Sequence, residues 1–112
     1  MSETLVIDGR AISLDKEGYL QNLEDWSPRV AVALAELAEI QLNEDHWEII
    51  TIMRNFHQQR GLSPVMRILV KLVSMSCGPE KGNSLYLLGL FPGSPAKLAS
   101  RIAGLPRPSN CL

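Results

Sequence analysis

The chain has 112 residues, of which 46% are hydrophobic and 21% charged, with a formal net charge of −1. That describes one domain with enough apolar residues for a single core, too apolar for a disordered chain and too near neutral for a primary nucleic-acid binder. No apolar run approaches a membrane span, Met1-Ser2-Glu3-Thr4-Leu5 lacks the features of a signal peptide, and the two cysteines, Cys77 and Cys111, make no disulfide framework, so the expected compartment is the reducing cytoplasm.

In residues 4–14, Asp8-Gly9 between apolar runs predicts a β-hairpin. Its apolar residues do not alternate cleanly, so either Leu5 and Ile7 or their opposite-face neighbours could face inward. A lone hairpin is marginal in water and must therefore lie on helices. Asp15-Lys16-Glu17-Gly18 is turn chemistry, and Tyr19-Leu20 could add a short third strand. Ser27-Pro28 is a cap followed by proline at the first helical position, and Val30, Leu34, Leu37 and Ala38 extend a helix over about 28–41. Asn43 caps a second helix, with Glu44 and Asp45 at its positive end and Trp47, Ile50, Met53 and Arg54 along it to about Gln59; Gly61 is its C-cap. Ser63-Pro64 repeats the cap-proline start for a third helix through Val65, Ile68, Leu69 and Leu72, stopped by Cys77-Gly78-Pro79. Asn83-Ser84 opens a fourth through Leu85, Leu88 and Leu90, ended by Phe91-Pro92-Gly93. Ser94-Pro95 starts a fifth, with Leu98 and Ile102 apolar, ended by Gly104. The expected fold is α+β and mainly helical: a short N-terminal hairpin or meander packed on an array of about five helices.

After Gly104 the sequence runs Leu105-Pro106-Arg107-Pro108-Ser109-Asn110-Cys111-Leu112. Two prolines two apart bias the backbone toward extended polyproline II, so a globular domain over 1–104 is expected to end in a mobile arm, 105–112, with a thiol at its tip. From Gly104 to Cys111 the arm reaches at most roughly 23–25 Å. A free thiol is only a few per cent ionised at neutral pH, and the carboxylate of Leu112 opposes ionisation further. Cations nearby would favour the nucleophilic thiolate. The candidates are Arg107 on the arm, Arg101 on the last helix, and Arg67 with Lys71, four apart on one face of the third helix.

Cys77, at a helix end, reads as a small buried hydrophobe. His46 and His57 lie three turns apart, about 16 Å, too far for one metal. No zinc-spaced set and no Gly-rich phosphate loop is seen, so neither metal nor cofactor is expected. The second and third helices have the outline of a helix-turn-helix, with Arg67, Lys71 and Ser74 facing DNA. Near-neutral charge weighs against that regulator reading, and no direct DNA binding is expected.

The run from Arg101 to Leu112 resembles the C-terminal signature of the TusE/DsrC family of sulfur-relay proteins. Chain length, Gly9-Arg10 and Leu90-Phe91-Pro92-Gly93 fit the same family. The resemblance implies that Cys111 accepts persulfide sulfur from an upstream TusBCD-like donor complex. It further implies a downstream acceptor, a tRNA 2-thiouridylase with its tRNA, that makes wobble 2-thiouridine. Members that partner dissimilatory sulfite reductase, as a gamma-subunit-like protein, carry a second cysteine eleven residues before the first. That position is Ser100 here, which favours the tRNA branch.

Overall fold

The computed structural model describes residues 3–108. Strands β1 (Glu3–Ile7) and β2 (Arg10–Leu14) form an antiparallel hairpin in which Ile7 lies opposite Arg10. Asp8 and Gly9 both take positive φ, 53° and 78°. This is the mirror-image two-residue turn whose twist matches that of the strands. The register settles which face is buried. Leu5 lies opposite Ile12, and opposed residues share a face. Ile12 and Leu14 are 1% and 0% exposed, whereas Val6 on the other side is 74% exposed. The third strand shrinks to one bridge between Leu14 and Leu20, because Asp15 ties the intervening turn by accepting from the Glu17 and Tyr19 amides. A single 3-10 turn, Leu23–Asp25, follows, capped by Asn22.

Helix α1 (Pro28–Leu37) starts as expected, with Ser27 Oγ accepting from the Val30 amide at 3.2 Å. It stops about four residues short of the expected 41. Glu39 adopts φ 60° and the Ile40 amide reaches back to the Ala35 carbonyl at 2.9 Å. That is a Schellman ending built on a glutamate, with no glycine to announce it; Ile40 and Leu42 are thereby turned back onto the core. In α2 (Glu44–Arg60) Asn43 and His46 form a reciprocal cap: Asn43 Oδ1 accepts from the His46 amide, and His46 Nδ1 accepts from the Asn43 amide at 3.1 Å. Gly61 ends this helix at φ 75°.

Helix α3 (Met66–Cys77) begins later than Ser63-Pro64 suggested, and its cap, Val65, offers no side-chain bond. Ser63 is used elsewhere: its hydroxyl donates to the carbonyl of Pro106. Helix α4 (Ser84–Leu90) is capped by Asn83, which accepts from the Tyr86 amide at 2.9 Å. Its last residue, Leu90, accepts from His46 Nε2 at 2.9 Å, which joins α4 to the start of α2.

The short α5 (Pro95–Ile102) contacts α1, α2, α3 and α4 and is the hub of the fold. The core gathers Ile12 and Leu14 from the hairpin, Leu34, Ile49, Met53, Leu69 and Val73 from the long helices, and Phe91, Ala99 and Ile102 around the hub. No helix among the described residues is long and apolar enough to cross a membrane.

Candidate functional site

The C-terminal arm leaves the hub, so the end of α5 sets its direction. Gly104 at φ 72° closes a Schellman motif in which the Gly104 amide bonds to Arg101 and the Leu105 amide to Ser100. The orphan carbonyls beyond are taken by other elements. Trp26 Nε1 donates to Ile102 at 3.0 Å, and Arg54 Nη1 donates to Ala103 at 2.7 Å. The Arg54 guanidinium also sits 3.8 Å over the Trp26 ring, so each holds the other in place. Burial pushes the pKa of Arg54 below the usual arginine value. Sequence reasoning missed both Trp26 and Arg54 as supports of the arm; only tertiary contact joins them to residues 102–103.

Residues 105–108 are the described part of the arm, and they are seated on the body. Leu105 is 2% exposed and belongs to the core. Pro106 accepts from Ser63, Arg107 is exposed, and Pro108 is buried. Arg107 Nη1 lies 3.0 and 3.1 Å from the two carboxylate oxygens of Glu17, in the turn after the hairpin. Arg101 Nη1 donates to the backbone carbonyl of the same Glu17 at 3.2 Å. Arg101, Arg107 and Glu17, together with Tyr19 and Lys97, line a cleft of about 290 Å³. Lys97 also lines the adjoining groove in which Pro108 lies.

Two of the four predicted cations, Arg101 and Arg107, are therefore brought together at the base of the arm. They differ in kind. The charge of Arg107 is matched by a carboxylate, while Arg101 bonds a neutral carbonyl and keeps its net charge. Lys97, which sequence reasoning passed over, completes the set with no ion pair among the described residues. Its signal was present: it lies four residues before Arg101, on the same face of one helix. Arg67 and Lys71 are exposed on α3 and do not line this cleft. Cys111 and the rest of 109–112 lie outside the described residues.

Cys77 is half-buried rather than fully buried. Desolvation, and then the neighbouring Glu48 carboxylate, raise its pKa, so it is a poor nucleophile. Glu48 is engaged by Lys81 at 2.9 Å, and that bond holds its carboxyl below the usual range. Among the described residues no group of His, Cys, Asp and Glu could hold a metal ion.

The family model described as DsrC-like protein matches residues 6–112. The chain belongs to the DsrC-like family. It is 48% identical over 108 residues to sulfurtransferase TusE of Photorhabdus laumondii, covering 96% of this chain and 97% of that protein. To sulfurtransferase TusE of Yersinia pseudotuberculosis it is 50% identical over 105 residues, covering 94% and 97%. Among solved structures it superposes on DsrC of Allochromatium vinosum with a TM-score of 0.91, 46% identity and full coverage of both chains. It also superposes on the oxidised gamma-subunit of the dissimilatory sulfite reductase of Archaeoglobus fulgidus, with a TM-score of 0.87, 40% identity and 98% and 100% coverage. The DsrC-like fold is thus the mainly helical α+β fold expected from the sequence.

Proposed function

We propose that this chain is a sulfurtransferase of a relay, carrying sulfur on Cys111. The observation that supports this most is that the family match extends to residue 112 and so takes in the cysteine-bearing tail, in a chain 48% identical to a sulfurtransferase over 96% of its length. In the proposed cycle the Cys111 thiolate attacks the outer sulfur of a donor persulfide. One S–S bond forms on Cys111, the donor S–S bond breaks, and the donor leaves as a thiolate, with no external oxidant. In the second half an acceptor thiolate attacks the outer sulfur on Cys111, which leaves as a thiolate. The donor is a TusBCD-like complex, the acceptor a tRNA 2-thiouridylase with its tRNA, and the compartment the cytoplasm.

The chain's own residues supply position and field. Trp26, Arg54, Ser63 and Glu17 hold residues 102–107. Lys97 and Arg101, which form no ion pair among the described residues, line the cleft at the arm's base, and a thiol brought to that cleft would be favoured as the thiolate. Arg107 acts as an anchor through Glu17.

The alternative, a gamma-subunit-like partner of dissimilatory sulfite reductase, draws on the Archaeoglobus likeness. Ser100 in place of the second cysteine weighs against it. The deciding experiment is intact mass after incubation with glutathione persulfide. One added sulfur atom is expected on the C-terminal peptide of the native chain and of Cys77→Ser, and none on Cys111→Ser. Loading of Cys111→Ser would overturn the assignment.

A further inference from the structure

Eleven of the twelve acidic residues lie in residues 1–48, and none lies between Glu48 and Glu80. That acid-free span comprises the C-terminal part of α2, residues 61–65 and all of α3. Its surface carries a shallow groove of about 570 Å³ floored by Phe56, Leu62, Ile68, Leu72 and Met75. Arg60 and Lys71 stand at the rim. Met75 is 76% exposed and Leu62 52%.

Helix α3 is apolar on two sides. Leu69 and Val73 are buried in the core, while Ile68, Leu72 and Met75, at helical spacing, line the groove. Arg60, Arg67 and Lys71 form no ion pair among the described residues. An exposed apolar stripe flanked by unmatched cations complements a helix with apolar residues on one face and carboxylates beside them. Nucleic acid fits less well, because phosphates would engage the cations and leave Met75 and Leu62 in water. The groove also adjoins the arm: Leu62 precedes Ser63, whose hydroxyl holds the Pro106 carbonyl.

We propose that this groove is the docking surface for an acidic amphipathic helix of a partner protein. A partner seated there lies against the turn that holds the base of the arm, so docking and presentation of the arm share one side of the molecule.

The test is titration calorimetry on the Cys111→Ser chain, which lacks the proposed carrier thiol and so separates this inference from the relay reading. The probe is a synthetic helix-forming peptide with leucines on one face and glutamates on its flanks. Saturable one-to-one binding is expected, with amide shift changes centred on residues 56–75. Met75→Asp and Lys71→Glu, both at exposed positions and checked for fold by circular dichroism, should each weaken binding tenfold or more. Any one of four results overturns the proposal: no binding, equal binding of a leucine-free glutamate peptide, tighter binding of a DNA duplex than of the peptide, or self-association of the free chain that Met75→Asp abolishes.

Discussion

Ser100 is fully buried, and its hydroxyl has no hydrogen-bond partner among the described residues. An unsatisfied buried hydroxyl costs about 1–3 kcal/mol. Ser100→Ala should therefore stabilise the chain by roughly 1 kcal/mol in urea unfolding, and a loss of stability would show that the hydroxyl is engaged. The same burial bears on the second-cysteine position. A cysteine introduced at 100 would start inside the hub, shielded from solvent. At Cys77 the raised pKa keeps the thiol protonated at pH values where a free cysteine is already partly ionised. In the Cys111→Ser chain, iodoacetamide should label Cys77 more slowly than free cysteine at pH 8, with the gap closing as pH rises. Labelling as fast as free cysteine would contradict this. His46 joins two helices through both ring nitrogens. Truncation to alanine removes a cap, leaves the Leu90 carbonyl without its donor and opens a cavity beside Phe91, so His46→Ala should cost about 2–4 kcal/mol.

Among the elements, α5 with residues 103–108 decides how the arm is presented. Gly104 serves twice: its φ of 72° suits only glycine without strain, and a Cβ there would fall 2.2 Å from Trp26 Cδ1. Strain in the left-handed region and the clash together should make Gly104→Ala cost roughly 2–4 kcal/mol in urea unfolding. A cost below half a kilocalorie would mean that Trp26 can move aside freely. The Arg107–Glu17 pair is of another kind. Both side chains are about half exposed, so the pair adds little to stability and chiefly orients the arm. Glu17→Ala should leave the urea midpoint nearly unchanged while raising the backbone mobility of Arg107 in nitrogen-15 relaxation. Leu105, held in the core, should stay as rigid as α5. Mobility at Leu105 well above that of α5 would contradict the seating of the arm's base.

For the whole molecule, one core connects the hairpin to the hub. Ile12 and Leu14 lie in the same cluster as Ala99, Ile102 and Leu105, so the sheet cannot leave without exposing α5. Unfolding should therefore be a single cooperative transition. Trp26 at the arm and Trp47 on α2 report from two regions, and their fluorescence midpoint should coincide with that of far-ultraviolet circular dichroism. Early loss of the hairpin amides in hydrogen exchange would argue against one unit. At this scale the charges are also divided: eight of the eleven Lys and Arg residues lie beyond residue 48, opposite in sign to the acidic first part. Net charge alone hides this division, which leaves the surface over α3 and the C-terminal part of α2 cationic in a chain of net charge −1.

What the sequence determined by itself was local. Asp8-Gly9, Ser27-Pro28, Asn43 and Asn83 each act on backbone within a few residues, so the hairpin and three helix starts could be read from them. Gly104 and the two prolines likewise marked where α5 gives way to an arm, and the run ending in Cys111 pointed to the family. Tertiary structure decided what depends on residues far apart in the chain. Glu39 stops α1 without a glycine, because Ile40 and Leu42 gain burial by turning back. Ser63 forgoes the cap of α3, because the Pro106 carbonyl, 43 residues on, lies within its reach. Arg107 meets Glu17 across 90 residues, and Trp26 meets Ile102 across 76. Cap and turn chemistry is carried by neighbouring backbone groups, whereas the seat of the arm exists only once α5 has been enclosed by the other four helices.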